Sequence, residues 1–409
     1  MSRRWATAIT RAAAITCATA TAAIGASSAA AALTPAPPSL PASAAALIEE
    51  STGQQLLGDN SNAELAIAST TKLMTALVTL RHARLNEVFT DPDWYPAAED
   101  SQIGLVPGEQ MSVRDLLIAM LLPSADDAAE DLAYNVGHGS VARFEAMMNA
   151  RARELGLTHT HYTTPIGLDT AGNYSSAHDL TMLARYDLQT EPFFRAVVRM
   201  KSAVVRMGGQ VRVVTNLNDL LDRYSWINGV KTGHTLDAGY VLVASGTQDG
   251  MTLIDAVLGT PSEAARDDAA LDLLDWGFAN FRLRTPVRQG QLIARAIVNG
   301  NPSQTVRLLA TATDTHVFAR SARIRLSVHA PTQLVGPLAL DAKVGWVTVR
   351  DGGQVQARIP LRLATAVPQI KHSAVLDSVV VVSATLSGLV LAAGAAIGLT
   401  MFWREWSRG

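Results

Sequence analysis

Cysteine is nearly absent: the 409-residue chain holds one, Cys17, inside an N-terminal stretch. Such a chain has no disulfide framework, and thiol chemistry has no place in its body. Lysine is almost as scarce. Lys72, Lys201, Lys231, Lys343 and Lys371 are the only five, against a combined Lys and Arg count of 34. Net charge is missing too, at −2, and the basic residues are scattered arginines without a long run, so there is no nucleic-acid footprint. Aromatics make up 5% and charged residues 17%, while 48% is hydrophobic, enough for more than one folded domain. His159 and His161 have His-x-His spacing, but no acid or cysteine cluster accompanies them. No metal or other cofactor is expected.

What is present begins with two apolar segments at the ends. Arg3, Arg4 and Arg11 precede the uncharged Ala12–Ile24 stretch and the small residues Gly25–Ala32. Residues 1–32 therefore read as a secretory signal peptide, with cleavage at Ala30–Ala32. As a membrane anchor this apolar core would cover only about half a span. Thr16 stands before Cys17, where a lipoprotein site needs Gly or Ala. Val379–Trp403 is different: 25 residues without a charge. At about 1.5 Å per residue it is long enough for a transmembrane helix. Arg404 and Arg408 then place the tail, 404–409, in the cytoplasm. The expectation is a single-pass cell-membrane protein with its body on the extracytoplasmic face.

Between the ends, a Pro/Ala-rich linker (33–41) leads to a body (42–283). Ala44–Glu49 reads as a strand that turns at Ser51–Gln54 and returns through Leu56-Leu57. Residues 70–82, 113–120, 125–136, 141–155, 177–188 and 262–278 carry helical periodicity. Tyr240–Ser245 and Met251–Leu258 alternate around Gly246–Gly250 and predict a hairpin. The fold class is α/β, with a sheet antiparallel at least in part. From Arg284 to Pro368 the segments are short and alternating, predicting a small β-rich domain, followed by a linker (369–378).

Three short motifs stand out. Ser69-Thr70-Thr71-Lys72 lies at a helix start, where residues three apart share a face and the helix N-terminus favours developing negative charge. A serine hydroxyl needs a base within hydrogen-bond reach, and a lysine serves if burial or a neighbouring cation lowers its pKa. By itself the motif is weak and reads as a helix cap with a solvated lysine. Ser124-Ala125-Asp126 sits between two apolar helices and, taken alone, is a helix N-cap with first-turn acids. Lys231-Thr232-Gly233-His234-Thr235 precedes the hairpin. On a strand, Lys231 and Gly233 share one face, and Gly233 lets a substrate backbone approach.

The three in this order make coincidence a poor account, and two of the five lysines fall in them. The chain resembles the serine D-alanyl-D-alanine carboxypeptidases, the low-molecular-mass penicillin-binding proteins of the penicillin-binding protein 5 type. The likeness extends to Pro107-Gly108-Glu109, Thr164-Pro165-Ile166-Gly167-Leu168-Asp169, Ser175-Ser176-Ala177 and Ala238-Gly239-Tyr240, over roughly residues 40–283. The resemblance implies a β-lactamase/transpeptidase-like domain with helices on both faces of the sheet and an all-helical part. It also implies peptidoglycan stem peptides as substrates and β-lactam antibiotics as acylating ligands. By the same resemblance Ser69 is the nucleophile, Lys72 its base and Ser124 a proton relay aided by Lys231. Lys231, Thr232 and Thr235 would bind the substrate's carboxylate, and the backbone N–H groups of Ser69 and His234 the oxyanion; Gly233 lies between.

Asp126 departs from the family's Asn. A carboxylate only accepts hydrogen bonds, and its charge favours charged lysines, opposing Lys72 as a base. Two rivals stay open: a weakly active or non-catalytic cell-wall binding protein, and a β-lactamase. The latter requires a deacylating glutamate, for which the interval before Lys231 offers Glu154 and Glu191.

Overall fold

Strand β1 (Ala44–Glu49) is buried along its whole length, and its alternation decides the architecture. Ala45 and Leu47 belong to one apolar cluster; Ala44, Ala46 and Ile48 belong to another on the opposite face. A strand buried on both sides demands helices above and below it. The structure is a computed structural model that describes residues 36–97 and 100–369.

Chain order runs β1, β2 (Gln55–Asp59), α1 (Lys72–His82), β3 (Val88–Thr90), β4 (Gln110–Ser112), α2 (Val113–Leu121), α3 (Asp126–Val136) and α4 (Val141–Glu154). It continues through α5 (Ala177–Thr190), α6 (Pro192–Val197), β5 (Ser202–Met207), β6 (Gln210–Thr215), α7 (Leu220–Arg223), β7 (Ile227–Thr235), β8 (Gly239–Gln248), β9 (Met251–Thr260) and α8 (Glu263–Asn280). The main sheet is antiparallel in the order β2-β1-β9-β8-β7, which leaves β7 on an edge. Helix α8 packs Ala270, Leu273, Leu274 and Phe278 against Leu47, Leu242 and Leu253 on one face. Helices α1 and α5 cover the other face with Leu73, Leu77, Leu180 and Leu183 against Ala46, Val243 and Ile254. Leu47 is fully buried, and Leu47→Ala would cost about 2–5 kcal/mol through transfer and cavity terms.

The expected hairpin is present and tighter than its sequence implied. Gln248 pairs with Met251, so the loop is Asp249-Gly250 alone, both at positive φ (50° and 75°). That is the geometry of a two-residue primed turn. A second such hairpin, β5–β6, closes on Gly208-Gly209 and was not foreseen; with β3 and β4 it forms a separate four-stranded sheet. Serines cap four helices: Ser112, Ser140, Ser176 and Ser262 each accept a first-turn N–H of α2, α4, α5 and α8.

After α8 the described residues form strands only: β10 (Phe281–Val287), β11 (Leu292–Val298), β12 (Asn301–Ala310), β13 (Asp314–Ala319), β14 (Ile324–His329), β15 (Gln333–Leu334), β16 (Lys343–Asp351) and β17 (Gln354–Leu363). A six-stranded sheet in the order β14-β16-β17-β12-β11-β15 and a β10–β13 pair enclose their own core of Val287, Leu308, Phe318, Val347 and Leu361. Gln54 ties this part to the body. Its Nε2 donates to the Val317 carbonyl (3.3 Å), and its Oε1 accepts from the Val317 N–H (3.2 Å). Among the described residues no helix is long and apolar enough to cross a membrane. The expected signal segment 1–32 and the apolar run Val379–Trp403 lie outside the described residues.

Candidate active site

The two motif serines differ from the four capping serines: neither caps a helix. Ser69 lies in a 3-10 turn, Ala68–Thr71, that leads into α1, and the N-caps there make no side-chain bond. The N-cap of α3 is Ala125, also without a side-chain bond. Both hydroxyls are held by lysines instead. Lys72 Nζ donates to Ser69 Oγ at 3.0 Å, and Lys231 Nζ donates to Ser124 Oγ at 2.9 Å. The bland reading of these motifs, cap plus solvated lysine, fails on both halves, because Lys72 and Lys231 are 0% and 1% exposed.

Backbone strain positions the pair. Ala68, just before Ser69, has φ 47°, and Ser124 has φ 66°. Left-handed conformations are costly for residues with a Cβ and persist only where surroundings impose them. Around Ser69 the surroundings are the loop 165–173. Gly167, at φ 93°, packs so closely that a Cβ there would lie 2.1 Å from the Ala68 carbonyl oxygen. Thr75 Oγ1 donates to the Pro165 carbonyl (2.6 Å), and Asn173 Nδ2 to Thr71 Oγ1 (3.3 Å). On the other side runs β7, where a Cβ on Gly233 would stand 3.1 Å from the Ser69 nitrogen. A cavity of ≈ 260 Å³ lies between the Ala66–Ala68 segment and the 167–173 loop.

Lys72 Nζ has two further acceptors, Asp126 Oδ1 at 2.5 Å and the Ile166 carbonyl at 2.6 Å. Burial lowers its pKa, and the charge of Asp126 opposes that shift. Asp126 is pushed up by burial, with Lys72 opposing. Burial therefore acts on both partners toward the uncharged form. Lys231 is lowered well below the ordinary range, first by burial and then by the charge of Lys72; Asp126 opposes, and Arg266 adds to the lowering. Asp126 Oδ2 accepts the Ser101 N–H (3.1 Å). Asp127 Oδ2 gathers three more: Ile103 at 3.1 Å, Gly104 at 2.8 Å and Leu105 at 3.0 Å. Two adjacent acids thus hold the 101–105 segment beside the site.

The remaining motif residues divide. Lys231 and Gly233 face the nucleophile, as strand alternation predicts; Thr232 pairs with Leu242 and is 5% exposed. His234 is exposed, its ring 4.1 Å from that of Tyr240. Thr235 has a partner of its own: its hydroxyl donates to Asp169 Oδ1 at 2.6 Å. Asp169 Oδ2 also accepts the Asp237 N–H (3.1 Å), which makes it a clasp between two loops.

Sequence reasoning missed four contributors. They are the Ile166 carbonyl, the clasp role of Asp169, the buried Arg266, and Glu130, whose carboxyl burial and neighbouring acids raise to about 7. Only Glu130 had a readable signal, standing four residues after Asp126 on one helix face. The rival's glutamates are engaged elsewhere, Glu154 with Arg151 (2.9 Å) and Glu191 with Arg81 (3.1 Å). Among the described residues no cluster of metal-ligating side chains occurs.

Fold and site together describe a serine-type peptidase with a buried lysine bonded to the serine. The family model for D-alanyl-D-alanine carboxypeptidases of peptidase family S11 matches residues 31–262, and the chain belongs to that family. It is 32% identical to the D-alanyl-D-alanine carboxypeptidase DacD of Salmonella typhimurium over 349 residues, 80% of this chain and 86% of that one. With the DacA enzyme of Escherichia coli it shares 30% over 354 residues, 82% and 86% of the two chains. Among solved structures, penicillin-binding protein 5 of Haemophilus influenzae superposes with TM-score 0.67 at 28% identity, covering 82% of this chain and 99% of that one. The DD-transpeptidase of Streptomyces K15 superposes with TM-score 0.57 at 34% identity, covering 60% and 99%.

Proposed function

We propose that the chain removes the terminal D-alanine from peptidoglycan stem pentapeptides through an acyl-enzyme on Ser69, and that penicillins acylate the same serine. One observation carries this reading: two buried lysines each hold a serine, at 3.0 and 2.9 Å, and neither serine caps a helix.

Lys72 has three polar neighbours. A neutral amine gives N–H bonds to Asp126 and to the Ile166 carbonyl and keeps its lone pair for the Ser69 proton. Burial favours that neutral amine, and the charge of Asp126 opposes it. Ser69 Oγ bonds to the carbonyl carbon before the last residue as its proton passes to Lys72. The C–N bond breaks as the proton taken by Lys72 passes through Ser124, held by Lys231, to the departing nitrogen. Backbone N–H groups of Ser69 and of His234, on edge strand β7, stabilise the oxyanion. Lys231 and Thr232 bind the substrate's terminal carboxylate. Water then cleaves the ester and frees the shortened peptide. The apolar run Val379–Trp403 holds the chain in the cell membrane, with the catalytic part outside, behind a cleaved signal peptide.

Incubating the full chain with a muropeptide pentapeptide tests this. Release of one D-alanine, blocked by penicillin and by Ser69→Ala, is the expected result. Intact pentapeptide together with no penicillin label on Ser69 overturns it in favour of a binding protein. Rapid penicillin turnover favours the β-lactamase.

A further inference from the structure

Charge is distributed unevenly between the two parts of the molecule. Residues 36–280 hold 31 Asp and Glu against 16 Lys and Arg. Residues 281–369 hold 11 arginines and Lys343 against only Asp314, Asp341 and Asp351. The near-neutral total hides an acidic body joined to a basic β segment.

Strand pairing gathers the basic residues. In the six-stranded sheet Val347, Val349, Ile359 and Leu361 face the core, so the alternating positions on the same strands face outward. The outward face carries Arg295, Arg307, Arg325, Arg350 and Arg358, with the exposed Trp346 among them. Two pairs stand directly opposite one another: Arg295 with Arg307, and Arg325 with Arg350. Like charges so placed destabilise a sheet. Among the described residues, none of these five forms an ion pair with a carboxylate; Arg362 alone on this face does, with Asp341. A sheet face that repels itself in solution is matched to an anionic surface.

We propose that this face docks on the anionic phospholipid headgroups of the membrane into which the chain is anchored, an inference that rests on the anchored reading above. Three observations favour a membrane over a soluble polyanion. The face is one broad sheet side rather than a groove. Its exposed tryptophan, 42% accessible and stacked on His329, is a residue type that settles at bilayer interfaces. And β17 ends at Leu363, close in sequence to the run beginning at Val379; the intervening residues reach about 50 Å at most. The acidic body is repelled from the same surface, so the charge asymmetry also orients the molecule with its catalytic part away from the bilayer.

The test reconstitutes the full chain into phosphatidylcholine vesicles with and without phosphatidylglycerol. An arginine-selective dicarbonyl is applied, and modification is mapped by mass spectrometry. Expected is protection of Arg295, Arg325 and Arg358 by roughly fivefold in the anionic vesicles only, reversed by high salt. Arg114 and Arg143 on the body should react equally in both. The triple variant R325Q/R350Q/R358Q should lose the protection of Arg295 while keeping penicillin labelling of Ser69, which reports an intact body. Equal reactivity in the two vesicle types overturns the proposal. So does equal protection of the body arginines, or protection by soluble inorganic polyphosphate where anionic vesicles give none. A chain that floats with neither vesicle type defeats the anchored reading and this inference with it; flotation without protection defeats this inference alone.

Discussion

The body and the β segment use cations in opposite ways. In the body, Lys72 and Lys231 are buried, close to one another's field, and each touches a serine. On the sheet face of the β segment, Arg295, Arg307, Arg325 and Arg358 are exposed and, among the described residues, form no ion pair, and Arg295 faces Arg307 as Arg325 faces Arg350. Burial makes a lysine reactive by disfavouring its charge; exposure leaves an arginine charged and available to a partner. The residue types suit those settings: burial draws the proton off a lysine more readily than off an arginine, which stays charged when exposed.

The comparison breaks first at Ser69. Ser69→Ala should abolish penicillin labelling and cut pentapeptide hydrolysis by about 10⁴-fold or more, read in single-turnover assays. Lys231→Gln should slow acylation by about 10²-fold, because Ser124 loses the lysine that holds its hydroxyl. Retained labelling in the first, or unchanged rates in the second, would leave the buried lysines without a catalytic role.

Stability against pH sharpens the contrast between buried and exposed charge. Asp131 is fully buried, and burial with neighbouring acids raises its carboxyl from 3.8 to about 8. The folded chain therefore keeps a proton that the unfolded chain sheds. The stability this contributes is full below about pH 4 and is lost as pH rises to about 8, at up to roughly 1.4 kcal/mol per pH unit. Asp131→Asn should flatten that decline between pH 5 and 8 in denaturant titrations; an unchanged slope would place the proton elsewhere.

A smaller effect is expected at Asp126. Its charge holds the Lys72 pKa up against burial, so Asp126→Asn lowers that pKa further. The acid limb of the acylation rate should move to lower pH, by about one unit or less. Movement to higher pH would show that Asp126 does not act through Lys72. Smallest of all, Arg325→Gln removes one member of a facing pair and should stabilise the chain by about 0.2–1 kcal/mol at low salt, fading at high salt.

Much of this was readable in advance, for identifiable reasons. β1, the β8–β9 hairpin and helices α2 to α5 carry strong periodicity, and the three motifs stand in a fixed order. The 3-10 start at Ala68 and the β5–β6 hairpin were not readable. One is a strain imposed by Gly167, and the other shows Val204, Val211 and Val213 to solvent where alternation against a core would mark a strand. The engagement of Thr235 by Asp169 joins loops 66 residues apart, which no local pattern reveals. Nor did scattered arginines look like a patch, because register rather than sequence proximity brings them together.

Ser124 sets a limit on how this enzyme can vary. At φ 66° a β-branched residue is a severe outlier, so threonine, the other small aliphatic alcohol, is barred from the position although it carries the same functional group. Glycine and asparagine tolerate the backbone but bring no hydroxyl. A lineage under antibiotic selection that alters the proposed relay must give up either its shape or its proton, and escape has to be sought at other positions.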